Sequence, residues 1–493
     1  MQAAFFGSVK KKQRKGCVRL MQTKDEGMSR EKQYDPENIY RLKGRVPFGK
    51  ALLLGLQHVL AMYAGNLTPI ILITGICGLG DIQVSILQNA MLVAGLITLV
   101  QLFTIGPVGA GLPIVMGANS SFIGICGNIA AMTGGGILAY GTILGAGLIG
   151  GLFEAVLGFF LKPLRKFFPS VVTGTVVLSI GLSLIPIGIN SFAGGSGAGD
   201  YGAPINFLVG AIVLIIIVIV KHFTKGIASN SAILIGIVAG YVVCAIFSLF
   251  LPTTYIDASG VVQTCSWVLD WSKVADAKWF ALPEFLPVSL HFNFSAIFPM
   301  CIMFIVSAIE TVGDTSGITE GGLGREATDR ELSGSIICDG LGSSLASLFG
   351  VTPTTSFSQN VGLITMTRVV NINCISLGAL FLVLCGLFPK LAAVISIMPQ
   401  SVLGGAAVMM FASIVISGIQ LITKEKVTGR TITIVSVALG LGYGLGSSTD
   451  ALNLMPQMIQ YLFGGSGIVP AALAALIMNI VLPKDKEVCE NQN

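Results

Sequence analysis

Apolar stretches of about twenty residues, the length that carries a helix across a bilayer core, recur fourteen times in this chain. They lie near residues 51–73, 84–105, 112–133, 136–160, 170–190, 204–221 and 229–251, then near 293–313, 333–350, 353–370, 371–388, 399–421, 428–446 and 467–483. Hydrocarbon offers backbone groups no water, so each stretch must satisfy its own hydrogen bonds, which a helix does. Only 11% of the 493 residues are charged, against about 25% in soluble domains. A water-soluble globule is excluded, and the expected fold is an all-α polytopic membrane protein in a lipid bilayer.

The basic residues orient it. With the amino terminus placed inside, 26 of the 29 Lys and Arg fall on the inner face, and only Lys273, Lys278 and Lys390 fall outside. Cationic loops are retained in the cytoplasm, so fourteen spans with both termini cytoplasmic are expected, in the cell (plasma or inner) membrane. The cluster at Lys10 to Lys15 reads as a juxtamembrane tail attracted to anionic lipid, and no nucleic-acid partner is expected. No signal peptide is visible, since the AAFF stretch before that cluster is too short for one.

Several chemistries lack their residues. The ten cysteines form no CxxC pair and no metal-ligand spacing, and the histidines His58, His222 and His291 make no metal set with the acids. No disulfide, metal or cofactor is expected. A GxxxxGK[ST] phosphate loop is missing, as is a nucleophile with a base, so neither a nucleotide-driven pump nor an enzyme is expected. An ion gradient or a downhill solute must supply the energy.

The two halves echo each other. Pro169 to Gly174 opens the fifth span as Pro399 to Gly404 opens the twelfth, and Ser120-Ser121-Phe122 resembles Thr355-Ser356-Phe357, at offsets of 230 and 235 residues. Seven spans separate each pair, and an odd number inverts the second copy, giving two inverted seven-span repeats. Spans three (GAGLPIVMGANSSFIG, Gly109 to Gly124) and ten (GVTPTTSFSQNVG, Gly350 to Gly362) crowd Gly, Pro, Ser, Thr and Asn where a lipid-facing helix would carry Leu or Ile. Each is expected to break into an extended piece and a half-helix whose amino terminus faces a ligand; tight packing of small residues is the alternative. Three acids, Glu310, Asp314 and Asp339, lie upstream of span ten in apolar surroundings and mark a candidate site.

Gln359-Asn360-Val361-Gly362-Leu363-Ile364-Thr365-Met366-Thr367 resembles the signature of the nucleobase-ascorbate transporters, the nucleobase:cation symporter-2 family. Gln57 to Met62, Ser307 to Asp314, Asp339-Gly340 and Phe388-Pro389-Lys390 through Gly404-Gly405 fit the same family in the same order. Gln359 is similar to the bacterial xanthine and uric acid branch, where uracil carriers tend to have an acid. The resemblance implies a homodimer with elevator-type movement of a core domain against a gate domain. The core would be 47–160 (spans one to four) and 293–390 (eight to eleven), and the gate 161–251 (five to seven) and 391–483 (twelve to fourteen). Residues 252–292 would form an extracellular loop, and 1–46 and 484–493 cytoplasmic tails.

A flat oxopurine alternates N–H donors and carbonyl acceptors, so its recogniser must offer both. Glu310 can accept from ring N–H groups, Gln359 can donate and accept, and Phe122 or Phe357 can stack on the ring. Desolvation penalises the charge of a buried carboxyl, so a proton taken up with the substrate would discharge the site, and the proton is the expected coupling ion. Asp314 is either a partner or relay or a helix-terminus cap, and Asp339 either bonds backbone amides near span ten or shares the proton. His58 is either a core histidine or a support of the site. Asn360 is expected to brace the broken span and Gly362 to permit close backbone approach; Arg368 reads as an inner-end anchor. Glu154 fits no motif and is expected as a hydrogen-bonded acid near the inner end of span four. A uracil or other nucleobase carrier, or an anion carrier of the sulfate-transporter architecture, is the alternative; the latter would set basic groups at the midplane.

Overall fold

In the computed structural model the described residues are 36–160, 169–195, 198–256, 262–424, 426–456, 459–460, 463 and 467–483. The Lys10 to Lys15 cluster, Lys162, Arg165, Lys166 and the 484–493 tail lie outside them. The first half contains α1 (Phe48–Ile76), α2 (Gln83–Leu102), α3 (Ile123–Thr133), α4 (Gly136–Phe159), α5 (Ser170–Phe192), α6 (Pro204–Phe223) and α7 (Ala232–Phe250). The second contains α8 (Phe294–Leu323), α9 (Asp329–Leu348), α10 (Ser358–Thr367), α11 (Ile372–Cys385), α12 (Pro389–Ser396), α13 (Gln400–Ile422), α14 (Gly429–Ser447) and α15 (Ile468–Val481). Every apolar window of the sequence holds at least part of one of them. Among the described residues eight helices, α1, α2, α4 to α8 and α13, are long and apolar enough to cross a bilayer. The chain is a mostly helical, multi-pass membrane protein.

Both polar windows are broken. After the glycines and Pro113 the chain runs extended through β1 (Met116–Ala118), takes a 3-10 turn at Ser120–Phe122, and enters α3. Thr352 and Pro353 lead likewise into β4 (Thr354–Ser356), followed by α10. The two strands pair antiparallel, Met116 with Ser356, Gly117 with Thr355 and Ala118 with Thr354. Asn119 N–H donates to Pro353 O at 2.8 Å and Phe357 N–H to Val115 O at 3.0 Å, so each extended piece satisfies the other. The pairing matches Met116-Gly117-Ala118 with Thr354-Thr355-Ser356. Ser120-Ser121-Phe122 occupies a helical turn while Thr355 and Ser356 are strand and Phe357 precedes α10, so the triplet echo of the sequence is shifted in space. The proline echo is kept: Pro169 and Pro399 each precede a helix of 23 residues, α5 and α13.

Small residues let helices approach backbone to backbone, the main attraction available where lipid removes the hydrophobic drive between helices. A Cβ on Gly404 would lie 2.0 Å from Phe192 N and one on Gly418 2.4 Å from Leu178 N, so α13 and α5 are in direct backbone contact. Gly55 of α1 meets Cys374 O of α11 in the same way, and Gly340 of α9 meets Gly151 O of α4. By contrast α6 and α7 show mostly exposed apolar side chains, as lipid-facing helices do.

Two boundaries differ from the sequence reading. Helix α8 runs ten residues past its window, to the left-handed Gly324 that ends it, so Glu310 and Asp314 lie mid-helix. Phe388 and Pro389 do not simply close a span: α11 and α12 meet at 83° across Gly386 to Phe388, because Pro389 starts a new helix. Between α7 and α8, β2 (Thr254–Ile256) pairs with β3 (Val262–Thr264), and the carbonyls of Ser289 and His291 press against Gly141 and Gly145 of α4.

Candidate functional site

The β1–β4 crossing is the floor of the site, and acids from two neighbouring helices hold it. Glu310, mid-way along α8, reaches the first broken span: its Oε2 accepts from Ser121 Oγ at 3.2 Å and Asn119 Nδ2 at 3.4 Å. Both bonds fall on one oxygen, leaving Oε1 to a ligand. Asp314, one turn on, reaches the second broken span, accepting from Ser356 Oγ at 2.7 Å and Ser358 Oγ at 2.8 Å. Asp339 of α9 accepts from the hydroxyls of Thr311 and Thr355, the latter at 3.2 Å. Among the described residues none of these carboxylates pairs with a Lys or Arg. A buried charge without a counter-ion is costly, so the hydroxyls of Ser121, Thr311, Thr355, Ser356 and Ser358 are what keep the acids in place.

Above the crossing, Glu310, Ser121, Ser358, Phe357 and Gln359 line a cleft of about 30 Å³, closed on the far side by Ile414 of α13. Gln359 is the second residue of α10, whose first turn no side chain caps. Its amide makes no hydrogen bond among the described residues, and it also lines a second cavity of about 190 Å³ bounded by Lys221, Met409 and Ser413. A larger cavity of about 490 Å³ opens between α1, α3, α5 and the start of α13, lined by Asn128, Asn190 and Gln400. The cleft that Glu310 and Gln359 line thus shares Gln359 with the wider 190 Å³ cavity. With a free carboxylate oxygen and a free amide they can grip a flat molecule carrying both donors and acceptors.

The structure separates the remaining sequence candidates. Phe357 lines the cleft, its ring wedged between Gly65 and Gly117. Phe122 does not: its ring is fully buried and packs on Phe304 with centroids 4.8 Å apart, because the helical turn at Ser120–Phe122 directs it into the core. Asp314 caps no terminus of its own helix, and Asp339 bonds the hydroxyls of Thr311 and Thr355, so of its two alternatives the bonding of backbone amides near span ten is not seen. Asn360 braces α10 against α1, its Nδ2 donating to His58 O at 2.9 Å and standing 3.1 Å from His58 Nδ1. Neither His58 nor Asn360 lines the cleft. The glycine beside the cleft that leaves no room for a side chain is Gly117, where a Cβ would meet Asn66 Oδ1 at 2.6 Å and the Phe357 ring at 2.7 Å. At Gly362 a Cβ would meet nothing within 4 Å, and this glycine faces the 190 Å³ cavity. Gly362→Ala is therefore expected to leave folding intact and raise stability by up to about 1 kcal/mol through helix propensity, read as a melting temperature at or above wild type.

Two groups escaped the sequence reading. Asn119 holds the 3-10 turn by accepting from Ser121 N–H at 2.8 Å while donating to Glu310. Asn66 of α1 accepts from Ala118 N–H at 2.8 Å and so ties β1 to α1. Each is a single polar residue in an apolar or small-residue run, the one signal that could have found it.

A family model described as a permease family matches residues 49–450, most of the chain and all of the site. This chain belongs to the nucleobase-ascorbate transporter family. Among members, the xanthine permease of Bacillus subtilis is 34% identical, over 88% of this chain and 94% of that one. The uric acid transporter UacT of Escherichia coli is also 34% identical, over 88% of this chain and 86% of its own length. Among solved structures, the transmembrane domain of the cyanobacterial bicarbonate transporter BicA aligns with a TM-score of 0.55 at 15% identity, over 87% of this chain and 97% of that domain. At that identity the likeness is one of fold. Xanthine and uric acid permeases of the family are thus about a third identical to this chain, and a bicarbonate carrier is similar to it in fold.

Proposed function

We propose that this chain takes up a purine nucleobase, xanthine or uric acid, by symport with protons across the cell membrane. The observation that carries it is the pairing of the open Glu310 oxygen with the unengaged Gln359 amide in one cleft at the β1–β4 crossing. The names of the relatives support the substrate class. No Lys or Arg lines the cleft, which weighs against an anion carrier despite the BicA likeness. Gln359, where an acid would suit uracil, favours the oxopurines over that pyrimidine.

The movement follows from space. A cleft of about 30 Å³ holds about one water molecule and no heterocycle, so its walls must part. The core helices of 47–160 and 293–390 carry both broken spans, and they move as a body against the gate helices of 161–251 and 391–483, which bring Ile414. Two inverted seven-span repeats, fourteen spans in all, would make the outward and inward forms near mirror images about the crossing. The chain works as a homodimer with both termini in the cytoplasm, and it needs no cofactor beyond the coupling proton.

Radiolabelled xanthine uptake in a host without its own carriers tests the reading. Accumulation competed by urate but not by uracil, and collapsed by a protonophore, is expected. Expressed protein that accumulates no xanthine, or does so unaffected by the protonophore, refutes it. Gln359→Glu exchanges the amide donor for an acceptor and is expected to weaken purine uptake about tenfold, one lost hydrogen bond to a buried polar group, measured as the uptake KM.

A further inference from the structure

Glu154 takes no part in the cleft, yet it is fully buried in α4 with neither carboxyl oxygen hydrogen-bonded. The hydrogen-bonded acid expected from the sequence is therefore not what the fold presents. Its surroundings are specific. Gly340 of α9 packs on the backbone of α4, where a Cβ would lie 2.4 Å from both Gly151 O and Ala155 N. Those contacts flank Glu154 on one helix and Asp339 on the other, so the missing side chains bring the two acids together. Asp339 uses Oδ2 for the hydroxyls of Thr311 and Thr355, while its Oδ1 is buried and unpartnered. The Ser307 hydroxyl of α8, also fully buried and without a hydrogen-bond partner, lies beside both carboxyls.

Four buried oxygens on three helices, three of them in the two carboxyl groups and the fourth the Ser307 hydroxyl, thus lack partners in one place. Glu310 is the remaining charge within reach of Glu154, and Asp314 the further one within reach of Asp339; among the described residues no cation joins them. Two buried carboxylates without a cation cannot both persist as anions, since an isolated charge in an apolar interior costs far more than a hydrogen bond returns. A positive ligand removes the penalty, and a proton does so without needing space.

We propose that Glu154, Ser307 and Asp339 form a second proton site behind the substrate cleft, loaded and emptied once in each transport cycle. Asp339 links it to the cleft, because its other oxygen holds Thr355 of the strand that ends beside Gln359. The proton reaches Asp339 as the β1–β4 crossing shifts, is shared with Glu154 through the Ser307 hydroxyl, and leaves by the same route on the inner side. No bond other than O–H forms or breaks. The inference rests on proton symport as the function of the cleft.

The test is the proton-to-xanthine ratio of protein in liposomes, from the pH gradient that just balances a fixed xanthine gradient. Glu154→Gln is expected to carry one proton fewer per xanthine than wild type, with xanthine affinity by calorimetry within about twofold. An unchanged ratio in folded Glu154→Gln overturns the proposal. Ser307→Ala keeps both acids and removes only the link, and is expected to slow proton entry at least about tenfold, seen with a trapped pH dye; an unchanged rate overturns the proposal even if Glu154→Gln does not fold. A wild-type balance point that moves when sodium replaces choline assigns the site to a metal cation and overturns it too. The cleft reading fails separately, when wild type neither binds nor accumulates xanthine.

Discussion

Glu310→Gln is expected to reduce xanthine uptake at least about thirtyfold, the lower end of the 2–5 kcal/mol lost when a buried, hydrogen-bonded charge is removed from a recognition pair. Gln is nearly the same size, so packing against α10 and the 3-10 turn survives. What changes is the chemistry of one oxygen. Glu310 Oε2 accepts from Ser121 and Asn119 while Oε1 faces the cleft. An amide there has one oxygen for those donors and an NH₂ toward the ligand, which meets a ring N–H donor to donor. It also carries no charge for a proton to cancel. The measurement is initial uptake beside binding by calorimetry, with the melting temperature as control. Wild-type uptake by a folded Glu310→Gln protein would remove Glu310 from the site.

Gly117→Val is expected to have the largest structural effect of any single change near the site. Gly117 pairs with Thr355 at the centre of the crossing, and even a Cβ meets Asn66 Oδ1 at 2.6 Å, the Phe357 ring at 2.7 Å and Met62 Cε at 2.8 Å. Phe357 cannot retreat, because Gly65 holds its other edge. Overpacking of this kind costs about 1–3 kcal/mol for added methylenes in a tight core, and valine adds more than one. A melting temperature lowered by several degrees and loss of xanthine binding are expected. Gly362→Ala, in open space, serves as its opposite, and equal destabilisation by both would show that the close approach at Gly117 is not what matters.

Much of this was legible in the sequence because a bilayer enforces its rules strictly. Charge-poor windows became helices, and the two windows crowded with Pro, Ser and Asn became a strand and a half-helix each. The acids at 310, 314 and 339 converged on the two broken spans, since buried carboxyls must find donors and Asn119, Ser121, Thr355, Ser356 and Ser358 are the donors at hand. What the sequence hid was direction. An aromatic before a half-helix is as apolar inside the core as over a ligand, so Phe122 and Phe357 read alike until the 3-10 turn sends one ring to Phe304 while the other, at the junction of β4 and α10, lines the cleft. Glycines were equally opaque. Gly117, Gly340 and Gly362 carry the same letter, yet one seats a ring, one joins two helices and one faces a void.

The antiparallel ladder between Met116–Ala118 and Thr354–Ser356 bears on biogenesis. Ribosomes deliver the first strand long before the second, and until then its amides have no complement in oil, where each unmet group costs several kcal/mol. The nascent third span must therefore wait in the insertion machinery or at the headgroups. A gene divided within the loop between β3 and α8 should yield two fragments that are each unstable alone and regain uptake when co-expressed.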